Sequence, residues 1–207
     1  VSKLGSVQFA ATSFVWPILF LFISLGIGIS VAGTSILAQL VGASEYEEAN
    51  EYATQLMVIS MVFSLTFAII GYFLSPFIVG WMGGTGDLAK YSNIYLKISF
   101  LGFPFVFLFF IFNSIMNAQG NTLAPTILSG VSAIINVVLD PIFIFTLDMG
   151  VAGAAIATVI SQAVLVIAGV FILKYRSHLI KLDFKDFKFD KRKLKKIINI
   201  GLPATIG

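Results

Sequence analysis

Asn136-Val137-Val138-Leu139-Asp140-Pro141 lies inside an apolar run from Leu123 to Leu147. A run of that length suits a membrane span, since about 20 apolar residues cross a bilayer as a helix. Asp140 is the only charged residue well inside any apolar run of the chain. A carboxylate at mid-bilayer costs about 2.5–3.5 kcal/mol on insertion scales, and such groups usually mark ion or substrate paths. Asn136 sits four residues earlier, so the two side chains share one helix face. Pro141 has no N–H, so the Val137 carbonyl loses its usual helical partner. Three oxygen-bearing groups thus gather at one level of an apolar helix, which is the raw material of a cation or proton site. The plainer alternative is an Asp near a helix end that reaches for the interface.

The same logic extends along the chain. It has 207 residues, 58% hydrophobic and 11% charged, with a mean hydropathy of +0.98. Soluble domains carry about 25% charged residues, so an ordinary soluble core is excluded. Cys is absent, which rules out a disulfide framework and thiolate metal sites. Ten of the thirteen Lys and Arg fall between Lys174 and Lys196. The first residues read as an inter-helix loop and Gly201 to Gly207 as the opening of another apolar segment, so a longer chain is expected.

Further runs flank the opening one. The first, Thr12 to Gly42, follows a weakly polar start and is rich in small residues from Gly26 to Ser35; small residues let helices approach closely in lipid. Residues 43–54 carry Glu45, Glu47, Glu48 and Glu51 and read as an amphipathic interfacial turn before the next span. The second run, Gln55 to Met82, ends in the turn signal Gly83-Gly84-Thr85-Gly86-Asp87. The third, Ile94 to Met116, is dense in Phe, and Pro104 is expected to bend it. Residues 117–122 form a polar turn, and Asp148-Met149-Gly150 another. The fifth run is Val151 to Leu173. Residues 182–196 are basic and punctuated by Phe, and lie between two spans, so they read as an interfacial segment rather than a nucleic-acid patch. A sixth span opens at Ile197. The expected architecture is all-α: a polytopic membrane bundle of five complete spans plus the start of another.

Charge sets the orientation. The basic connector is expected in the cytoplasm. Counting back puts residues 117–122 and the acidic residues 43–54 on the same side, and the loops near Asp87 and Asp148 outside. Asp140 lies nine residues before Met149 and Thr158 nine after it. On antiparallel helices both should sit about 13 Å in from the outer turn, with Thr158 offering a hydroxyl beside Asp140 or bonding back to its own helix. Tyr95 falls about one turn above Asp140. Asn113 lies nearer the cytoplasm, in a different layer.

These residues resemble a known family. Gln119-Gly120-Asn121-Thr122 with Pro125, and above all Asn136-Val137-Val138-Leu139-Asp140-Pro141 followed by Gly150-Val151-Ala152-Gly153-Ala154-Ala155-Ile156-Ala157-Thr158, look like the multidrug and toxic compound extrusion (MATE) transporters. The resemblance covers essentially the whole chain. It implies spans two to six of a twelve-span, two-lobe fold. Residues 1–182 would be the N-terminal lobe without its first span, 183–196 the inter-lobe connector, and 197–207 the start of the C-terminal lobe. It implies export of organic, often cationic compounds in exchange for H⁺ or Na⁺, from a multi-pass position in a bacterial inner membrane. Asp140 matches the coupling carboxylate, Asn136 and Thr158 its cation-site neighbours, and Tyr95 and Asn113 cavity positions. A Na⁺ would be held by Asp140, Asn136 and Thr158; no structural metal, cofactor or nucleic acid is implied. The implied partners are organic cations, the lipid bilayer, the first span with its second carboxylate, and the other lobe.

Other readings are weaker. A lipid-linked saccharide flippase of the same superfamily would line its cavity with Arg and Lys for pyrophosphate, and the spans are read as free of both. An intramembrane enzyme needs paired carboxylates, a metal motif or a Ser/His pair; the one His, His178, lies in the basic segment. A channel would favour charge rings or carbonyl filters, and neither is seen.

Overall fold

The computed structural model describes residues 5–176, 179–185 and 187–206; His178 and Asp186 of the basic segment lie outside them. The chain forms α1 (Ser6–Gly42), α2 (Tyr46–Trp81), α3 (Gly86–Ala118), α4 (Leu123–Pro141), α5 (Gly150–Arg176) and α6 (Lys191–Ile206), with a π-helical turn at Ile142–Thr146 after α4. No strand occurs among the described residues. Five helices are long and apolar enough to cross a membrane, α4 together with its π-turn counting as one.

Short turns force neighbouring helices antiparallel. At the end of α2, Gly83 takes φ 86 while the Gly84 N–H reaches Val79 O at 3.0 Å and the Gly83 N–H reaches Gly80 O at 3.0 Å. At the end of α3, Gly120 takes φ 78 while Asn121 N bonds Met116 O at 2.9 Å. Both are left-handed helix caps that satisfy the last carbonyls.

α3 is the central post. It packs against α1, α2 and α5, whereas α4 leans mainly on α5. Close approach depends on small residues in α1. A Cβ on Gly26 would fall 2.6 Å from the Phe110 ring, and Ser114 Oγ donates to Ser30 O at 2.7 Å. The Phe residues of α3 are largely packing groups: Phe100, Phe103 and Phe107 are buried with Val15, Leu19 and Val79.

Three boundaries differ from the sequence reading. α1 begins at Ser6, not Thr12. The hydroxyls of Thr12 and Ser13 bond back to Phe9 O at 2.8 and 3.3 Å, so these polar residues are accommodated in a continuing helix. The acidic stretch is not a separate interfacial turn: Glu47, Glu48 and Glu51 are the opening turns of α2 itself, where carboxylates favour the positive helix end. The basic segment turns helical at Lys191, where Asp190 Oδ1 accepts the Arg192 N–H at 2.7 Å and caps α6.

The basic segment is strapped to the α2 opening. Lys181 N donates to Asn50 Oδ1 at 2.6 Å and Asp183 N to Thr54 Oγ1 at 3.1 Å. Buried Gln55 holds both backbone groups of Asp190, donating to its carbonyl at 2.6 Å and accepting its N–H at 3.1 Å. Lys193 pairs with Glu51. Leu179 N reaches Gln119 Oε1 at 3.2 Å. The acidic stretch, the 117–122 turn and the connector therefore share one end of the bundle, as the charge count expects. At that end Glu51 of the acidic stretch meets Lys193 of the basic segment.

Candidate functional site

α4 presents Ser132, Asn136 and Asp140 at intervals of four, one residue per turn of a single face. That face lies along α5. Ser132 Oγ donates to Ser161 O at 3.0 Å. Asn136 Nδ2 donates to Thr158 Oγ1 at 3.3 Å, and Thr158 Oγ1 donates to Ala154 O at 3.0 Å. Asp140 ends the stripe. Its Oδ1 is buried and has no hydrogen-bond partner among the described residues. A buried polar atom without a partner is costly, and the site thereby offers an acceptor to an ion or proton.

The backbone beside Asp140 is irregular for a local reason. Pro141 supplies no N–H to Val137 O. The Ile142 N–H donates to Leu139 O, and the chain then widens into the π-turn, a feature frequent at functional sites. α5 presses directly on this turn: a Cβ on Gly153 would fall 2.6 Å from Phe143 O.

Thr158 is not level with Asp140. Its level partner is Asn136, one turn deeper, and its hydroxyl bonds back to its own helix. The count from Met149 assumed uniform α-helical rise, whereas the π-turn at Ile142–Thr146 fits more residues into each turn. Tyr95 on α3 packs at the edge of the buried Phe cluster. Asn113 stands 18 residues farther along α3, roughly 27 Å at helical rise. It accepts from Asn117 Nδ2 at 2.8 Å and lines a groove with Ser30, Thr34 and Ser35 of α1. The structure therefore gathers Asp140, Asn136 and Thr158 along the α4–α5 seam, leaves Tyr95 against the Phe cluster, and places Asn113 in a separate layer.

Two polar residues escaped the sequence reading. Ser132 was legible from its four-residue spacing to Asn136. Gln8, whose Oε1 is buried near Gly150 without a partner among the described residues, carried no signal. One expectation fails outright: Lys97 lies inside α3, so a span does contain a lysine. Its ammonium stands 5.2 Å over the Tyr72 ring. A long stem and an aromatic face accommodate the charge there. Lys97, with Lys90 near the start of α3 and Lys174 near the end of α5, does not make the Arg/Lys-lined cavity a pyrophosphate carrier needs.

Comparison with known proteins gives consistent matches. The MatE family pattern matches residues 1–142. Multidrug export protein MepA of Staphylococcus haemolyticus is 33% identical over 205 residues, spanning 98% of this chain and 45% of that protein. Probable multidrug resistance protein YoeA of Bacillus subtilis is 29% identical over 211 residues, spanning 99% and 46%. Among solved structures, a MATE in the bent conformation superposes with a TM-score of 0.95 at 28% identity, covering all of this chain (100%) and 46% of the other. The inward-facing form of a multidrug resistance MATE family transporter of the MOP superfamily gives 0.94 at 28% identity, with 100% and 47% coverage. The chain spans slightly under half the length of these proteins.

Proposed function

The chain belongs to the MatE family, and from that premise we propose that it forms one lobe of a secondary antiporter that exports organic cations in exchange for H⁺ or Na⁺. It is a multi-pass membrane protein, and its relatives are transporters rather than enzymes.

The observation that carries the reading is Asp140 Oδ1, buried and without a partner among the described residues where α4 gives way to the π-turn. A proton would neutralise this carboxylate. A Na⁺ would bring it together with oxygens of Asn136 and its neighbours. Either event changes what α4 must satisfy at the point where its hydrogen-bond ladder is already interrupted by Pro141. Loading from outside would displace a bound organic cation, and two lobes would rock about the site. Asp140, Asn136 and Thr158 serve the coupling ion; Tyr95 and, in its separate layer, Asn113 face the cargo. Residues 1–182 form the N-terminal lobe, 183–196 a cytoplasmic connector, and 197–207 the opening of the second lobe. A first span and the second lobe complete the cavity, and no cofactor beyond the coupling ion takes part. A bacterial inner membrane is the proposed location.

The test is drug resistance conferred by the full-length protein carrying Asp140→Asn. The reading expects resistance to fall to that of cells without the transporter. Wild-type resistance at equal expression would refute it.

A further inference from the structure

On the connector side, α2, α3, α5 and the strapped segment enclose a groove of about 750 Å³. Its walls are apolar, with Met57, Met61 and Val62 from α2, Leu108 from α3 and Val170 from α5. Its mouth carries Lys174 and Lys181. Among the described residues neither lysine has an acidic partner; the ion pair found there is Lys193 with Glu51. Lys181 is not on a loose loop. Its backbone N–H is held by Asn50, and the preceding residue, Ile180, is buried at 1% exposure. The backbone that carries Lys181 is thus held against the groove's walls.

Position decides what fits. Gln55, which clasps the connector, marks the polar end of α2. Val62 lies seven residues beyond it, so the groove runs roughly 10 Å into the apolar span. A transported organic cation is repelled by two lysines. A free phosphate has no use for methionine and valine walls. A zwitterionic lipid brings a cation of its own to the mouth. A lipid with a net negative headgroup satisfies both ends, because basic pockets between membrane helices on the connector side suit such headgroups.

We propose that this groove binds one anionic phospholipid, with an acyl chain along Met57, Met61 and Val170 and its phosphate between Lys174 and Lys181. The site is separate from Asp140 and independent of what the protein transports.

The test uses the full-length protein in mild detergent, with dioleoylphosphatidylglycerol or dioleoylphosphatidylcholine added and retained lipid counted by native mass spectrometry. Wild type is expected to retain the glycerol lipid in preference to the choline lipid. Lys174→Gln with Lys181→Gln should weaken that retention by about fivefold per lysine. The corresponding Lys→Arg pair keeps both charges and should keep the lipid. Met61→Trp, which fills the groove, should lower retention. Excess inorganic phosphate should not displace the lipid. Equal retention of the two lipids, an unchanged preference in the Gln pair, loss of the lipid in the Arg pair as well, or displacement by inorganic phosphate would each overturn the proposal.

Discussion

Asn136 Nδ2 meets Thr158 Oγ1 at 3.3 Å, and this contact joins α4 to α5 one turn deeper than Asp140. It holds the carboxylate's own helix against its neighbour while Asp140 Oδ1 stays unpaired among the described residues.

Thr158→Val keeps the shape of the side chain and removes the acceptor. The Asn136 amide then loses this partner, at a cost of about 1–3 kcal/mol. A lowered melting temperature in detergent is expected, with Thr158→Ser restoring it. An unchanged melting temperature for Thr158→Val would show that the contact holds nothing.

Gly153 lies against backbone, not against a yielding side chain. Gly153→Ala puts a Cβ 2.6 Å from Phe143 O, so the π-turn has to move. Overpacking of this kind costs about 1–3 kcal/mol. Gly130→Ala on α4 meets nothing within 4 Å and serves as the control, since alanine is favoured over glycine within a helix by about 1 kcal/mol. Thermal unfolding should separate the two variants, with Gly153→Ala below wild type and Gly130→Ala at or above it.

The connector clasp is a matter of buried hydrogen bonds more than of charge. Gln55→Leu leaves both backbone groups of Asp190 without their partner, at about 1–3 kcal/mol. Limited proteolysis within residues 183–190 should accelerate. Glu51→Gln removes a partly exposed ion pair, worth at most about 1 kcal/mol, and should change cleavage far less. A larger effect from Glu51→Gln than from Gln55→Leu would reverse this ranking.

The coupling ion leaves a direct trace. In proteoliposomes, substrate export should respond either to an imposed pH gradient or to an imposed Na⁺ gradient. Asn136→Ala removes an oxygen beside Asp140 but not the carboxylate. It should weaken Na⁺ dependence strongly if Na⁺ is the ion, and leave proton-driven export largely in place if H⁺ is. Export that responds to neither gradient would contradict antiport.

Much of this architecture is legible because membrane spans are long apolar runs and the turns between them are punctuated by residues such as Gly83 and Gly120. What escaped has physical causes. Hydropathy changes where α2 leaves the lipid at Gln55, but its hydrogen-bond ladder continues to Tyr46, so composition misplaces the helix end. The placing of Glu51 beside Lys193 is not legible because a charge count by loop does not show that the basic segment folds back on α2. Thr158 meets Asn136 and not Asp140, one turn from the expected level, because the π-turn at Ile142–Thr146 is not visible in apolar periodicity. Asp140 itself is legible, since a lone carboxylate in an apolar run stands out, whereas the lack of a partner for its Oδ1 among the described residues appears only once the helices are packed.

The most direct measurement is gradient-driven export of a fluorescent organic cation by the full-length protein in proteoliposomes, wild type against Asp140→Asn. The account requires that the variant still bind the cation while its export falls to the level seen with no gradient. Gradient-driven export by Asp140→Asn at the wild-type rate would show that Asp140 does not couple ion entry to export.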